Sequence, residues 1–133
     1  MKPVILYIED DPSNALLTQR ILEARGWNVI TAPNGRLGLQ RARENRPDIV
    51  LLDINLPDIS GYEVAEELRN SEDPHVSNVP IIAVSAYALQ GDSAKVLSSG
   101  CDGYVAKPFD IQDLITVCEK FIRLTRGTGA LYL

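Results

Sequence analysis

Residues 49–69 read IVLLDINLPDISGYEVAEELR and hold one complete strand–turn–helix unit. Ile49, Val50, Leu51 and Leu52 form an apolar run without polar alternation, the pattern of a strand covered on both faces. Asp53 ends the run, and Asn55, Pro57 and Asp58 follow in a polar turn. Gly61, Val64, Ala65 and Leu68 then repeat at helical spacing and predict an amphipathic helix. A buried strand feeding directly into such a helix is the repeating unit of an α/β fold.

Working outward, the same unit recurs on both sides. Apolar runs at 4–8, 28–31, 81–84 and 104–106 alternate with longer amphipathic stretches. The run at 28–31 is shorter and more polar, which suits a sheet edge. Leu17, Ile21 and Ala24 predict a helix stopped by Gly26, and Asn34 caps another that ends before Pro47. Residues 92–99 are weakly periodic and end at Gly100, so a marginal helix is expected there. Ile111, Leu114, Ile115, Cys118 and Ile122 form the last stripe, with Asp110 as its N-cap. The segment SEDPHVSN reads as a polar loop in which His75 is solvated. Strands alternating with helices imply right-handed crossovers and a parallel sheet. The expected architecture is α/β, a doubly wound, flavodoxin-like five-stranded sheet in the order 2-1-3-4-5.

The 133 residues suit one domain, expected over 1–124 and followed by a short tail, 125–133. With 45% hydrophobic and 23% charged residues the composition is that of a globular protein. Thirteen basic against eighteen acidic side chains give a net charge of −5, which argues against direct nucleic-acid binding. The apolar runs are far shorter than the ~20 residues that span a bilayer. Cys101 and Cys118 fit no metal spacing and read as small buried thiols, so a cytoplasmic location is expected.

In a doubly wound sheet, functional groups gather beyond the carboxyl ends of the strands. Glu9, Asp10 and Asp11 follow the first strand, Asp53 and Asn55 the third, Ser85 ends the fourth, and Lys107 follows the fifth. Converging carboxylates repel one another unless a cation lies between them. Asp and Glu oxygens suit a hard divalent ion such as magnesium, which readily takes a phosphate oxygen as well. A lysine and a hydroxyl opposite would receive an incoming phosphoryl group. Asp11, before Pro12, reads instead as a helix cap.

Over residues 3–124 the chain resembles a two-component response regulator receiver domain, of the single-domain, chemotaxis-regulator-like kind. The resemblance is carried by Glu9 and Asp10 as the acidic pair, and by Asp53, Leu56, Pro57 and Gly61 in DINLPDISG. Ser85 in VSAYA, Tyr104, and Lys107 with Pro108 in YVAKPF complete it. The separations of Ser85 and Lys107 from Asp53 are normal for that family. Departures are mild: Glu9 stands where Asp is commoner, Leu56 where Met is, and Ser85 where Thr is frequent.

The resemblance implies a phosphorelay switch rather than an enzyme acting on a separate substrate. Asp53 would take a phosphoryl group from phosphohistidine on a sensor histidine kinase or phosphotransfer protein. Magnesium would be held by Asp10, Asp53, the backbone carbonyl of Asn55 and Glu9, the last through a water or directly. Lys107 would contact a phosphoryl oxygen. Ser85 and Tyr104 would be the switch pair, with Tyr87 and Asn55 setting how fast water removes the phosphate. Pro108 resembles the family's cis proline. A downstream protein would then read the face formed by residues 90–123, where Val117 and Phe121 could offer an apolar patch to a partner or a second copy.

Three other readings are open on sequence grounds. A haloacid-dehalogenase-type phosphatase also uses a strand-end aspartate, but needs a second Asp where Asn55 stands. A flavin or nucleotide module would need a glycine-rich loop after the first strand, which is absent. Finally, the chain could be a receiver cut from a hybrid kinase or longer regulator, although Met1 so near the first strand favours a stand-alone protein.

Overall fold

A computed structural model describes residues 2–86 and 93–127. The strands are β1 (Val4–Ile8), β2 (Asn28–Ala32), β3 (Ile49–Asp53), β4 (Ile81–Ser85) and β5 (Gly103–Ala106). They pair in parallel in the order β2-β1-β3-β4-β5, as expected, with β2 and β5 at the edges. The third and fourth strands each run one residue further than their apolar stretches, so Asp53 and Ser85 are themselves the last strand residues.

Among the described residues six helices flank the sheet: α1 (Pro12–Glu23), α2 (Gly35–Asn45), α3 (Gly61–Arg69), α4 (Pro74–Ser77), α5 (Ser93–Ser98) and α6 (Ile111–Ile122). Leu6, Ile8, Val50, Leu52, Ile81 and Ala83 face one side, where Leu39, Ala42, Val64, Ala65, Leu68, Val76 and Val96 cover them. Ile5, Tyr7, Ile49, Leu51, Ile82 and Val84 face the other, under Leu22, Leu114, Ile115, Cys118 and Ile122. Each fully buried leucine in these layers stabilises the fold by about 2 kcal/mol. The sheet is thus covered on both faces, which is why its strands read as unbroken apolar runs.

Helix ends follow their capping residues. Asp11 accepts from the N–H groups of Ser13 and Asn14, Asn34 from Leu37 and Asp110 from Gln112. Gly26 has φ +91° after α1, a left-handed turn that glycine adopts without strain.

Several local expectations change. In α1 the buried face is Ala15, Thr18 and Leu22, whereas Leu17 is 60% exposed and Ala24 is exposed. The buried face includes Thr18, whose hydroxyl interacts with that of Tyr7. The polar segment around His75 contains a helical turn, α4, started by the Asp73 side chain. His75 is half-buried there, its Nε2 2.7 Å from the Pro47 carbonyl oxygen. Val117 and Phe121 are half-buried and pack against the core, so they extend it rather than forming a free apolar patch. The marginal helix expected at 92–99 is the six-residue α5. Tyr87 and the start of the proposed output face at residue 90 lie outside the described residues, and so do residues 128–133 of the tail. A turn of π-helix, Arg123–Gly127, follows α6. Cys101 and Cys118 are both buried and unpaired.

Candidate functional site

The order of the strands reverses between β1 and β3, and their carboxyl ends open a crevice there. Glu9 leaves β1 with its N–H on the Ala32 carbonyl (2.9 Å), so its backbone still belongs to the sheet ladder. That fixes its side chain inside the crevice, where it is 2% exposed. Asp10, one residue on, is exposed. Asp53 ends β3 at 5% exposure, and its Oδ1 accepts the Asn55 N–H at 3.1 Å.

Lys107 enters from β5. Its backbone N–H donates to the Ser85 carbonyl (2.9 Å), holding the exit of β5 beside that of β4. Its Nζ lies 2.9 Å from Glu9 Oε1 and 3.2 Å from Asp53 Oδ2. The Lys107–Pro108 peptide bond is cis, matching the family's proline. An open cleft above is lined by Glu9, Asp10, Asp11, Asn14, Asp53, Asn55, Ala86 and Lys107. The predicted Glu9, Asp10, Asp53, Asn55 and Lys107 therefore come together. Ser85 is buried at the end of the neighbouring strand, and Tyr104 is 37% exposed on edge strand β5.

The loop after β3 is shaped by residues the sequence singled out only as a motif. A Cβ on Gly61 would lie 2.5 Å from the Asp53 carbonyl oxygen and 2.7 Å from the Ile54 Cα. Only glycine lets α3 start this close to the strand that carries Asp53. Asp58 accepts the N–H groups of Gly35 (2.8 Å) and Arg36 (2.9 Å), tying this loop to the first turn of α2. Burial raises its carboxyl pKa, and the backbone donors around it together outweigh that and lower it.

Electrostatics set the two buried carboxylates apart. Burial and then the adjacent Glu9 push the Asp53 carboxyl up to about 6, against the pull of Lys107. Burial acts on Glu9 too, but its hydrogen bonds with Asp53 and Lys107 prevail and hold it at about 2. Lys107 is raised, because Glu9 and Asp53 outweigh its own burial. Carboxylate oxygens of Glu9, Asp10 and Asp53 all lie within 4.8 Å of one another. Three carboxylates facing one ammonium leave an all-oxygen donor set of surplus negative charge, which fits a hard divalent cation.

One member of the site was missed. Tyr7, read only as part of an apolar run, donates from its buried hydroxyl to Glu9 Oε1 at 3.2 Å. The available signal was the strand period, which puts residues two apart on the same face.

A family model described as the response regulator receiver domain matches residues 5–119. The polar-differentiation response regulator DivK of Brucella anthropi is 35% identical over 122 residues, 92% of this chain and 98% of its own. The receiver domain of a sensor histidine kinase from Pseudomonas aeruginosa, solved with magnesium coordinated in its active site cleft, is 34% identical. It superposes with a TM-score of 0.83 over 92% of this chain and 98% of that one. A CheY-like receiver domain protein from Methanospirillum hungatei gives 0.86 at 28% identity, over 96% and 98% of the two chains. No helix among the described residues is long and apolar enough to cross a membrane. With the acidic crevice at the carboxyl ends of β1 and β3, these matches place the chain in the response regulator receiver domain family, the receivers of phosphorelay signalling.

Proposed function

We propose that Asp53 is the phosphoacceptor, taking its phosphoryl group from phosphohistidine on a sensor histidine kinase or histidine phosphotransfer protein. One observation carries this reading: Lys107 reaches from β5 to bridge Glu9 and Asp53 at the strand ends, at 2.9 and 3.2 Å. A buried carboxylate with a lysine on it and an open cleft above has the parts that in-line phosphoryl transfer requires.

Glu9, Asp10, Asp53 and the backbone carbonyl of Asn55 would hold magnesium, the ion that the Pseudomonas receiver coordinates in its active site cleft. Bound there, magnesium offsets the charge of the phosphoryl oxygens. An Asp53 oxygen attacks phosphorus once its proton is lost, and the histidine nitrogen departs. The N–H of Asn55 already orients that carboxylate through Oδ1. Lys107 then turns from Asp53 Oδ2 to a phosphoryl oxygen, and the Ser85 hydroxyl donates to another. The same pocket directs the hydrolysis that resets the switch.

The phosphate adds nearly two negative charges, and Ser85 and Tyr104 convert that local change into movement. The output face is residues 90–123, whose described part exposes Leu97 (50%) and Tyr104 (37%) to a downstream protein or a second copy. In this reading the receiver occupies residues 1–124, residues 125–133 are a tail, and the protein works in the cytoplasm.

Incubation with acetyl phosphate and magnesium should add one phosphoryl group by intact mass, and Asp53→Asn should take up none. Equal labelling of the two proteins would reject the assignment. For the output face, beryllofluoride with magnesium should shift amide resonances in α5, β5 and α6. Shifts confined to the cleft would reject that surface.

A further inference from the structure

Position 9 carries a glutamate, whose extra methylene gives its carboxylate more rotational freedom than an aspartate would have. Something must hold it for the site to be formed before a ligand arrives. Two donors converge on its Oε1: Lys107 Nζ at 2.9 Å and the Tyr7 hydroxyl at 3.2 Å. They differ in what happens to them next. Lys107 lines the open cleft and also binds Asp53, the group that changes on phosphorylation. Tyr7 is enclosed in the core. Its ring is 1% exposed in the core layer with Ile5, Leu22, Leu51 and Leu114, and the buried Thr18 of α1 interacts with its hydroxyl.

We propose that Tyr7 is a positioning residue for the acidic site: a fixed buried donor that holds Glu9 toward the cation while Lys107 is free to follow the phosphoryl group. The inference rests on the reading of Glu9, Asp10 and Asp53 as the magnesium site. Partners behind metal ligands orient them, and their loss typically lowers metal affinity by about tenfold or more. The strand period makes the arrangement possible, since Tyr7 and Glu9 leave β1 on the same face. Reach makes it specific to glutamate, because an aspartate carboxylate would stop one methylene short of the hydroxyl.

The test is a double-mutant cycle on the full chain, read by calorimetric titration with magnesium chloride, with thermal melting of the metal-free proteins as the check on folding. Tyr7→Phe keeps the ring and removes only the hydroxyl. It should weaken magnesium binding about tenfold in the Glu9 protein and leave it unchanged in the Glu9→Asp background. The rate of labelling by acetyl phosphate should recover in Tyr7→Phe at saturating magnesium, a loss of affinity rather than of maximal rate. Unchanged affinity in Tyr7→Phe, or the same loss in both backgrounds, would overturn the role of Tyr7 while leaving the magnesium site intact. Absence of magnesium binding by the unmutated protein would overturn both. Should Tyr7→Phe fail to fold, the unmutated protein decides: the Tyr7 hydroxyl proton resonance should shift when magnesium is added, and a resonance indifferent to magnesium would overturn the proposal.

Discussion

The two ends of the sheet treat charge in opposite ways. At the amino end of β4, Arg69 donates to the carbonyls of Gly100 (2.8 Å), Ser77 (3.1 Å) and Val79 (2.7 Å) and to Asp102 Oδ2 (2.7 Å). Asp102 in turn accepts the Ile81 N–H at 2.8 Å. These groups are matched to one another, and the result is a clasp joining α3, α4, α5 and the start of β4. At the carboxyl end, Glu9 and Asp53 share Lys107 with Asp10 beside them, and burial together with the adjacent Glu9 pushes the Asp53 carboxyl up to about 6. Matched charge holds a fold, whereas unmatched charge waits for a ligand.

The comparison breaks first at Arg69. Arg69→Ala strands three backbone carbonyls and Asp102 at the same point, so it should cost about 3 kcal/mol in urea unfolding. Labelling by acetyl phosphate should persist in whatever fraction stays folded. A cost below about 1 kcal/mol would mean that the amino end is not the matched end.

The carboxyl end should respond with the opposite sign. Asp53→Asn removes a like charge beside Glu9 and keeps the Lys107–Glu9 pair. Without magnesium it should stabilise the protein by about 1 kcal/mol, because it removes a buried charge that also lies beside a like charge. A destabilised Asp53→Asn protein would show that these charges are matched after all.

A third effect is in pH. Because the Asp53 carboxyl is raised in the folded chain, the metal-free fold holds its proton more tightly than the unfolded chain does. Its contribution to stability is therefore fully present at low pH and is lost as pH rises toward about 6. A cation must displace that proton, so apparent magnesium affinity should climb through pH 6 and level off near neutrality. Glu9, held low, and Lys107, held charged, do not titrate in that window. Calorimetric titrations at stepped pH would check this, and a flat profile would contradict it.

The smallest effect separates His75 from the chemistry. His75→Ala loses the bond to the Pro47 carbonyl and should cost about 1 kcal/mol, with phosphoryl uptake unchanged.

What could be read in advance follows the same division. Glu9, Asp10, Asp53, Ser85 and Lys107 were legible because each sits at the end of an apolar run, and strand order brings those ends together. The clasp was not legible. Arg69 is satisfied mostly by backbone carbonyls, and a carbonyl has no signature in sequence. Thr18 and Tyr7 were hidden for a related reason: a hydroxyl buried against another hydroxyl looks, in sequence, like a polar residue on the wet side and an aromatic one on the dry side. The turn at α4 was missed because four residues are too few to show a helical period.

The central claim is that Asp53, alone among the clustered carboxylates, becomes the acyl phosphate. Borohydride reduces an aspartyl phosphate to homoserine, so the labelled protein can be reduced, digested and sequenced by mass spectrometry. Homoserine at position 53 and nowhere else is the predicted result. Asp10 or Asp58 converted instead, or reduction at Glu9, would contradict the account.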